Sequence, residues 1–403
     1  MIEGNTVANI FPINLKRYNR KFFNQPISQR YPLKGCSPTI LAGGHPLKGT
    51  EGCGRGFQSI NQYILRKILI TGGTGYIGSH TVVELMENGY DVVVVDNLSN
   101  STTAPLDGIE RITGKRPAFV EADCSSMEQM TTLFEEHPDI NAIIHFAALK
   151  AVGESVHKPL EYYKNNILSV INLLELMRMR GGHFVFSSSC TVYGQPDKLP
   201  VTETSPIKKA LSPYGNTKRI AEDIIEDTIA ANSNINAISL RYFNPIGAHP
   251  SAEIGEYPIG KPDNLIPFLT QTVRGVWEKL QIFGSDYNTP DGTAIRDYFH
   301  VVDLAQAHVV ALRRLMEGKN RTPYEVFNVG AGRGITVLEI VKTFERVTGK
   351  KVNYELTARR AGDIEMVWAD TSLAEKELGW RAERSLDEAL LSAWRWEERR
   401  AGL

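Results

Sequence analysis

From residue 67 onward, short apolar runs alternate with stripes of helical spacing. Lys67-Ile-Leu-Ile-Thr71 is β-branched, apolar and of buried-strand length. Gly72-Gly-Thr-Gly75-Tyr-Ile-Gly78 follows at once. From Ser79 to Asn88, Val82, Val83, Leu85 and Met86 recur at helical spacing, and Gly89 ends the stripe. Asp91 to Val95 predicts a second strand, closing on Asp96. Ala118 to Ala122 predicts another, ending in Asp123, and Ala142 to Phe146 one that ends in Ala147-Ala148. Phe184 to Phe186 leads into Ser187-Ser188-Ser189, and Ile235 to Leu240 into Arg241-Tyr242-Phe243-Asn244. Strands alternating with helices predict an α/β fold with a doubly wound, Rossmann-type parallel sheet. Ligands of such sheets sit at the C-terminal ends of the strands, where each of these polar clusters falls.

Residues 1–65 break the pattern. Two acids, Glu3 and Glu51, stand against Lys16, Arg17, Arg20, Lys21, Arg30, Lys34, Lys48 and Arg55, with no sustained period. Such a basic, acid-poor leader reads as an organelle transit peptide, a disordered tail or an upstream translation artefact. No apolar stretch follows the start, so a secretory signal is excluded. The expected compartment is the cytoplasm, or an organelle if the leader targets one. A net charge of -1 gives no global basic field for nucleic acid or an anionic membrane. The longest apolar runs, such as Tyr90 to Val95, are strand-length, so no membrane span is expected. Cys36, Cys53, Cys124 and Cys190 are too few for a disulfide scaffold and lack metal-ligand spacing, so no metal is expected.

The unit from Lys67 to Asp96 has the parts of a dinucleotide site. Gly72 permits a tight turn, Gly75 lets the backbone approach a pyrophosphate, and Gly78 allows the helix to pack on the strand. The helix N-terminus offers free N–H groups and a positive dipole end to the phosphates. Asp96, 18 residues beyond Gly78, suits a ribose 2′-hydroxyl and repels a 2′-phosphate, so NAD is expected over NADP. Asp123 is a candidate for the adenine, or else a satisfied loop carboxylate. Farther on, Tyr214-Gly-Asn-Thr-Lys218 puts tyrosine and lysine on one helix face, with Pro213 at the helix start. A nearby ammonium and a positive nicotinamide ring would lower the tyrosine pKa from near 10. Tyr214 would then take a proton from a sugar hydroxyl while hydride leaves the adjacent carbon. Ser189 would orient that hydroxyl. Alone, Tyr-x-x-x-Lys is commonly an exposed helix face; its place after a dinucleotide fingerprint and a serine-ended strand marks it as catalytic.

From Arg66 to about Arg399 the chain resembles the UDP-galactose 4-epimerases of the extended short-chain dehydrogenase/reductase family. The shared stretches are Gly72-Gly-Thr-Gly-Tyr-Ile-Gly-Ser-His80, Asp96-Asn-Leu98, His145-Phe-Ala-Ala-Leu-Lys-Ala-Val-Gly-Glu-Ser155, Pro159-Leu-Glu-Tyr-Tyr163, Arg241-Tyr-Phe-Asn-Pro245, Asp291-Gly-Thr293, Arg296-Asp-Tyr298 and Arg359-Arg-Ala-Gly-Asp363. The resemblance implies an NAD-binding domain over 66–245 and a smaller C-terminal α/β substrate lobe over 246–403, part of which returns to the first domain. It implies reversible C4 epimerisation of UDP-glucose and UDP-galactose through a 4-keto sugar, with NAD retained. By position, Tyr76, Ile77, Asp96, Asn97, Leu98, Ser99, Asn100, Ser101, Asp123, Cys124, Phe146, Ala147, Ala148, Lys150, Asn165, Ser189, Tyr214, Lys218 and Phe243 would line the cofactor, with Lys150 on its ribose. Ser189, Tyr214, Phe243, Asn244, Asn264 and Leu265 would contact the UDP-sugar. Phe283 would lie beside the uracil, Arg296 and Arg360 would grip the diphosphate, and Asp363 would accept from ribose hydroxyls. A homodimer is implied through the helices around Leu160 to Met179 and Lys218 to Ala231.

Two positions depart from the family pattern. Val367 stands at the wall beside the sugar's C2 substituent, where members confined to UDP-glucose and UDP-galactose often carry tyrosine, so some activity on UDP-N-acetylglucosamine is expected. Cys190 stands where many members have alanine and reads as a small buried residue. The nearest rival, a sugar-nucleotide 4,6-dehydratase, would need a carboxylate pair before Val192-Tyr193-Gly194, where this chain has Cys190-Thr191. A plain nucleotide-sugar dehydrogenase would release reduced cofactor, which the epimerase-like substrate lobe disfavours. A non-catalytic NAD-binding sensor would typically lack the tyrosine or lysine retained here.

Overall fold

The computed structural model describes residues 67–232, 234–359 and 363–402. The leader 1–65 therefore lies outside the described residues. In chain order the elements are β1 (Lys67–Thr71), α1 (Tyr76–Glu87), β2 (Asp91–Asp96), α2 (Ala104–Thr113), β3 (Ala118–Glu121), α3 (Met127–Glu136), β4 (Ile140–His145), α4 (Val152–His157), α5 (Pro159–Arg180), β5 (Gly182–Ser187), α6 (Pro213–Ala231) and β6 (Ile235–Tyr242). They continue with β7 (Asn244–Ile246), α7 (Leu265–Val273), β8 (Leu280–Phe283), β9 (Ile295–Arg296), β10 (Tyr298–His300), α8 (Val301–Met316), β11 (Tyr324–Val329), β12 (Ile335–Thr336), α9 (Val337–Thr348), β13 (Tyr354–Thr357), β14 (Met366–Val367), α10 (Ser372–Leu378) and α11 (Leu386–Ala401).

Seven strands form one sheet in the order β11-β6-β5-β4-β1-β2-β3, every neighbouring pair parallel. The strands are apolar at successive positions because helices cover both faces. Ile68, Ile70, Val94 and Ile144 point into the core shared with α1 and α8, while Leu69, Val93, Val95 and Ile143 point into the core under α3, α5 and α6. The strand order reverses at β1, between β2 and β4, which opens a crevice at the C-terminal strand ends. This is the doubly wound sheet expected from the pattern.

The helix α1 begins at Tyr76, three residues before the predicted Ser79. Gly75 is its extended N-cap, and the Ser79 amide donates to the Gly75 carbonyl at 2.9 Å. Tyr76-Ile77-Gly78 shows no apolar periodicity, so the first turn was invisible to the pattern. The helix α6 is signalled better: Ser212 caps it by accepting from the Gly215 amide at 3.1 Å, and Pro213 occupies its first turn.

The later residues build a third core from Ile246, Leu269, Ile282, Ile340, Phe344 and Trp394. Around it lie the pairs β7–β10 and β8–β13 and the small sheet β12-β9-β14. The chain returns to the main sheet twice: α8 packs on α1, and β11 pairs with β6.

Candidate active site

The glycine turn after β1 is a cradle that only these residues allow. Gly72 has φ +67°, and a Cβ there would stand 2.8 Å from the Ala147 amide nitrogen. A Cβ on Gly78 would stand 2.2 Å from the Gly72 carbonyl oxygen. Both approaches are backbone to backbone, so no side chain can move aside. At the end of β2, the Asp96 carboxylate accepts from the Thr74 amide (3.3 Å), the Leu98 amide (3.0 Å) and the Ser101 hydroxyl (2.9 Å). A buried carboxylate is thus fixed beside the N-terminal turn of α1. A narrow glycine turn, a helix N-terminus and an acid at the next strand end fit a dinucleotide with a free ribose 2′-hydroxyl.

Around the cradle, Tyr76 donates its hydroxyl proton to the Gly247 carbonyl at 2.6 Å, and Ile77 packs against the core. The Asn97 side chain accepts from the Ser99 amide at 3.1 Å, and Asn100 is exposed. The Asp123 carboxylate accepts from the Ser125 amide at 2.8 Å, and the buried Cys124 offers its carbonyl to Asn172 at 3.0 Å. Phe146 packs on the His308 ring, with centroids 4.6 Å apart. Ala147 and Ala148 follow it, and the Ala147 amide donates to Thr71 Oγ1 at 3.3 Å. Asn165 donates to Asn166 at 3.0 Å, and Asn166 in turn donates to Thr217 of α6 at 3.0 Å.

The catalytic candidates meet at the ends of β5 and the start of α6. Lys218 is 4% exposed; its Nζ donates to the Ser187 carbonyl at 2.7 Å and lies 4.7 Å from the Phe186 ring centroid. Burial pulls its pKa down to about 8, while the Glu222 carboxylate one turn on opposes that. Ser189 Oγ accepts from the Thr191 amide (3.2 Å) and the Thr191 hydroxyl (3.0 Å). Tyr214 is buried, and burial pushes its phenol well above 10, with the Ser189 hydroxyl opposing. The expected lowering of the Tyr214 pKa by Lys218 and a nicotinamide ring belongs to the NAD-loaded site. In the protein alone desolvation dominates, because the phenolate would have to form in a site closed to water. The Cys190 thiol is pushed up to about 12 by burial, which leaves it unreactive.

The substrate-lobe candidates fall into two groups. Phe243 is buried at the end of the main sheet, with its amide donating to Val329 at 3.2 Å, and Asn244 opens β7 beside Asp297. Asn264 is the N-cap residue of α7, and Leu265 is its first helical residue. On the far side, Arg296 Nη1 donates to the Ile295 carbonyl (2.8 Å) and the Glu365 carbonyl (3.3 Å). Val367 is paired in register beside Arg296, and Asp363 and Arg296 both act electrostatically on the Tyr287 phenol. Phe283, at the end of β8, is exposed. Arg360 lies outside the described residues.

Sequence reasoning missed Glu256. Its carboxylate accepts from Asn264 at 2.5 Å and lies 3.6 Å from the Lys150 ammonium, joining a candidate cofactor ligand to a candidate substrate ligand. Nothing in the loop's composition signals this, since the Lys150 contact spans more than a hundred residues. Glu222 and Arg241 were also missed as site residues, although Glu222 stands four residues after Lys218, a spacing that puts both on one helix face.

Comparison with known proteins bears on the whole arrangement. The profile of the NAD dependent epimerase/dehydratase family matches residues 68–330. The UDP-glucose 4-epimerase of Bacillus subtilis (strain 168) is 50% identical over 331 residues, covering 82% of this chain and 96% of that protein. A crystal structure of UDP-glucose 4-epimerase from Stenotrophomonas maltophila, with bound NAD and formylated UDP-arabinopyranose, superposes with TM-score 0.80 at 46% identity, covering 84% of this chain and 99% of that one. A second, from Bifidobacterium longum in complex with NAD+ and UDP, has TM-score 0.80 at 43% identity and covers 83% and 99%.

Proposed function

The chain belongs to the NAD dependent epimerase/dehydratase family, and on that premise we propose that it interconverts UDP-glucose and UDP-galactose by inverting carbon 4. The observation that carries this reading is the convergence of Ser189, Tyr214 and Lys218 on the strand ends beside the glycine cradle. Gly72, Gly75, Gly78 and Asp96 would hold the cofactor. When bound, NAD supplies a two-electron acceptor for carbon 4 and a positive charge that favours a phenolate.

The chain's own residues handle the proton. Ser189 Oγ already accepts two hydrogen bonds from Thr191, so its own proton is directed to the Tyr214 oxygen or a sugar hydroxyl. Tyr214 exchanges a proton with the 4-hydroxyl. Lys218, anchored to the Ser187 carbonyl, keeps positive charge in a desolvated pocket where it acts strongly on that exchange. Arg296 would meet the diphosphate with the N–H groups that do not serve the Ile295 and Glu365 carbonyls. Incubation of the purified protein with UDP-galactose and no added cofactor should yield UDP-glucose, and Tyr214→Phe should abolish it. Reduced NAD accumulating only when NAD is supplied would make the protein a dehydrogenase instead. Tight NAD binding without turnover would favour a sensor.

Two finer readings belong here. Val367, small beside tyrosine and paired next to Arg296, supports acceptance of UDP-N-acetylglucosamine. No detectable acetylated product in a matched assay that supplies UDP-N-acetylglucosamine would sink that reading. Leu160 and Ile171, about three turns apart on one face of α5, are exposed apolar side chains and support a homodimer. Light scattering should give twice the chain mass, and Leu160→Glu should reduce it to one.

A further inference from the structure

Beneath the catalytic residues lies a buried ion pair to which the proposed mechanism gives no task. Glu222, one turn beyond Lys218 on α6, and Arg241, near the end of β6, have side chains only 5% and 6% exposed. Arg241 Nε donates to both Glu222 oxygens at 3.0 and 3.1 Å, and its Nη2 donates to Oε2 at 2.6 Å. Ser188 donates its hydroxyl proton to the same carboxylate. Ser188 lies between Ser187, whose carbonyl holds Lys218, and the catalytic Ser189. The second arm of Arg241 donates to the Tyr193 hydroxyl at 3.1 Å and to the Glu203 carbonyl at 3.3 Å. A single carboxylate thus joins α6, the serine run after β5 and the strand that leads into Phe243 and Asn244.

Stability is a poor reason for such a pair. Desolvating two charges costs about as much as their attraction returns, and apolar replacement of both partners is often neutral or stabilising. Geometry offers a better reason. We propose that Glu222 and Arg241 are positioning residues for the epimerisation, fixing the serine run against Tyr214 and Lys218 and supporting the charge of Lys218. This rests on the function proposed above. Lys218 is faced by His145 from β4 and by His308 from α8, both held neutral by burial at about 3 and about 4. Among the described residues, Glu222 is the carboxylate whose charge acts on it.

The test separates positioning from folding. The double substitution Glu222→Met/Arg241→Leu removes both charges, and its thermal midpoint should stay close to the parent's. Its kcat should nonetheless fall by at least about tenfold, with KM for UDP-galactose within about twofold. Ser188→Ala cuts only the link to the serine run and should lower kcat in the same sense, which keeps the test open if the double variant does not fold. Activity of the parent should fall as pH rises through the Lys218 titration, and in Glu222→Gln that limb should move to lower pH. The Lys218 titration can also be followed without turnover by nitrogen-15 lysine NMR, assigned through Lys218→Arg; it should drop by about one unit in Glu222→Gln. A parent that does not interconvert the sugars would overturn the function, whereas the NMR shift still reports on the pair. Parent-like kcat in folded Ser188→Ala and double variants, or an unmoved Lys218 titration, would overturn the inference.

Discussion

At the scale of single residues, the site rests on a few contacts that tolerate no added atom. Gly78 faces the Gly72 carbonyl so closely that an alanine Cβ would sit 2.2 Å from its oxygen, and backbone cannot rotate away as a side chain can. Gly78→Ala should therefore distort the turn, lower the thermal midpoint by several degrees and abolish copurification of NAD, read as cofactor released on denaturation. Gly153, in α4, has nothing within 4 Å of its would-be Cβ. Gly153→Ala should leave NAD content alone and stabilise by up to about 0.5–1 kcal/mol, the helix-propensity difference. The same scale sets the state of the Tyr214 phenol in the protein alone. A Tyr-x-x-x-Lys spacing says that two side chains share a face, but not that both are closed off from water. Desolvation, which sets the Tyr214 phenol well above its ordinary value, is a property of everything packed around it.

At the scale of elements, legibility followed the range of the interactions. The strand β1 was readable to the residue, because parallel strands buried on both faces leave an unbroken apolar run. The start of α6 was readable because Pro213 sits in its first turn. The short strands β9, β12 and β14 were not, since two residues carry no period and exist only by pairing with distant segments. The Lys150–Glu256–Asn264 cluster was hidden for the same reason. The cap of α6 makes a prediction at this scale. Ser212 accepts from Gly215, and Tyr214 lies between them in the first turn. Ser212→Ala should cost about 1 kcal/mol in stability. Fraying of that turn should also lower kcat by a few-fold in room-temperature assays where the variant is fully folded.

At the scale of the whole described chain, the small sheet β12-β9-β14 is tied to the main sheet through one buried carboxylate. Asp297, between β9 and β10, is fully buried and accepts from the Ala331 amide (2.7 Å), the Gly332 amide (3.1 Å) and the Ala369 amide (3.1 Å). Those amides follow β11 of the main sheet and β14 of the small sheet. The three hydrogen bonds favour the ionised form, but burial outweighs them and raises the carboxyl to about 6. The sign of the pH effect follows. With a folded pKa above the unfolded one, the folded state binds more protons than the unfolded state between about 4 and about 6. The group's favourable contribution is complete below that window and is lost as pH rises through it. Asp297→Asn keeps the shape, removes the titration and turns an acceptor into a donor facing amides, so it should destabilise by about 1–3 kcal/mol at neutral pH. Denaturant unfolding of both proteins at matched pH isolates this group from every other carboxylate. The stability gap between parent and variant should widen on acidification from pH 7 to 4.5, by at most about 2–3 kcal/mol. A gap that narrows instead would mean that the three amides outweigh burial, and that the tether is strongest with its charge fully formed.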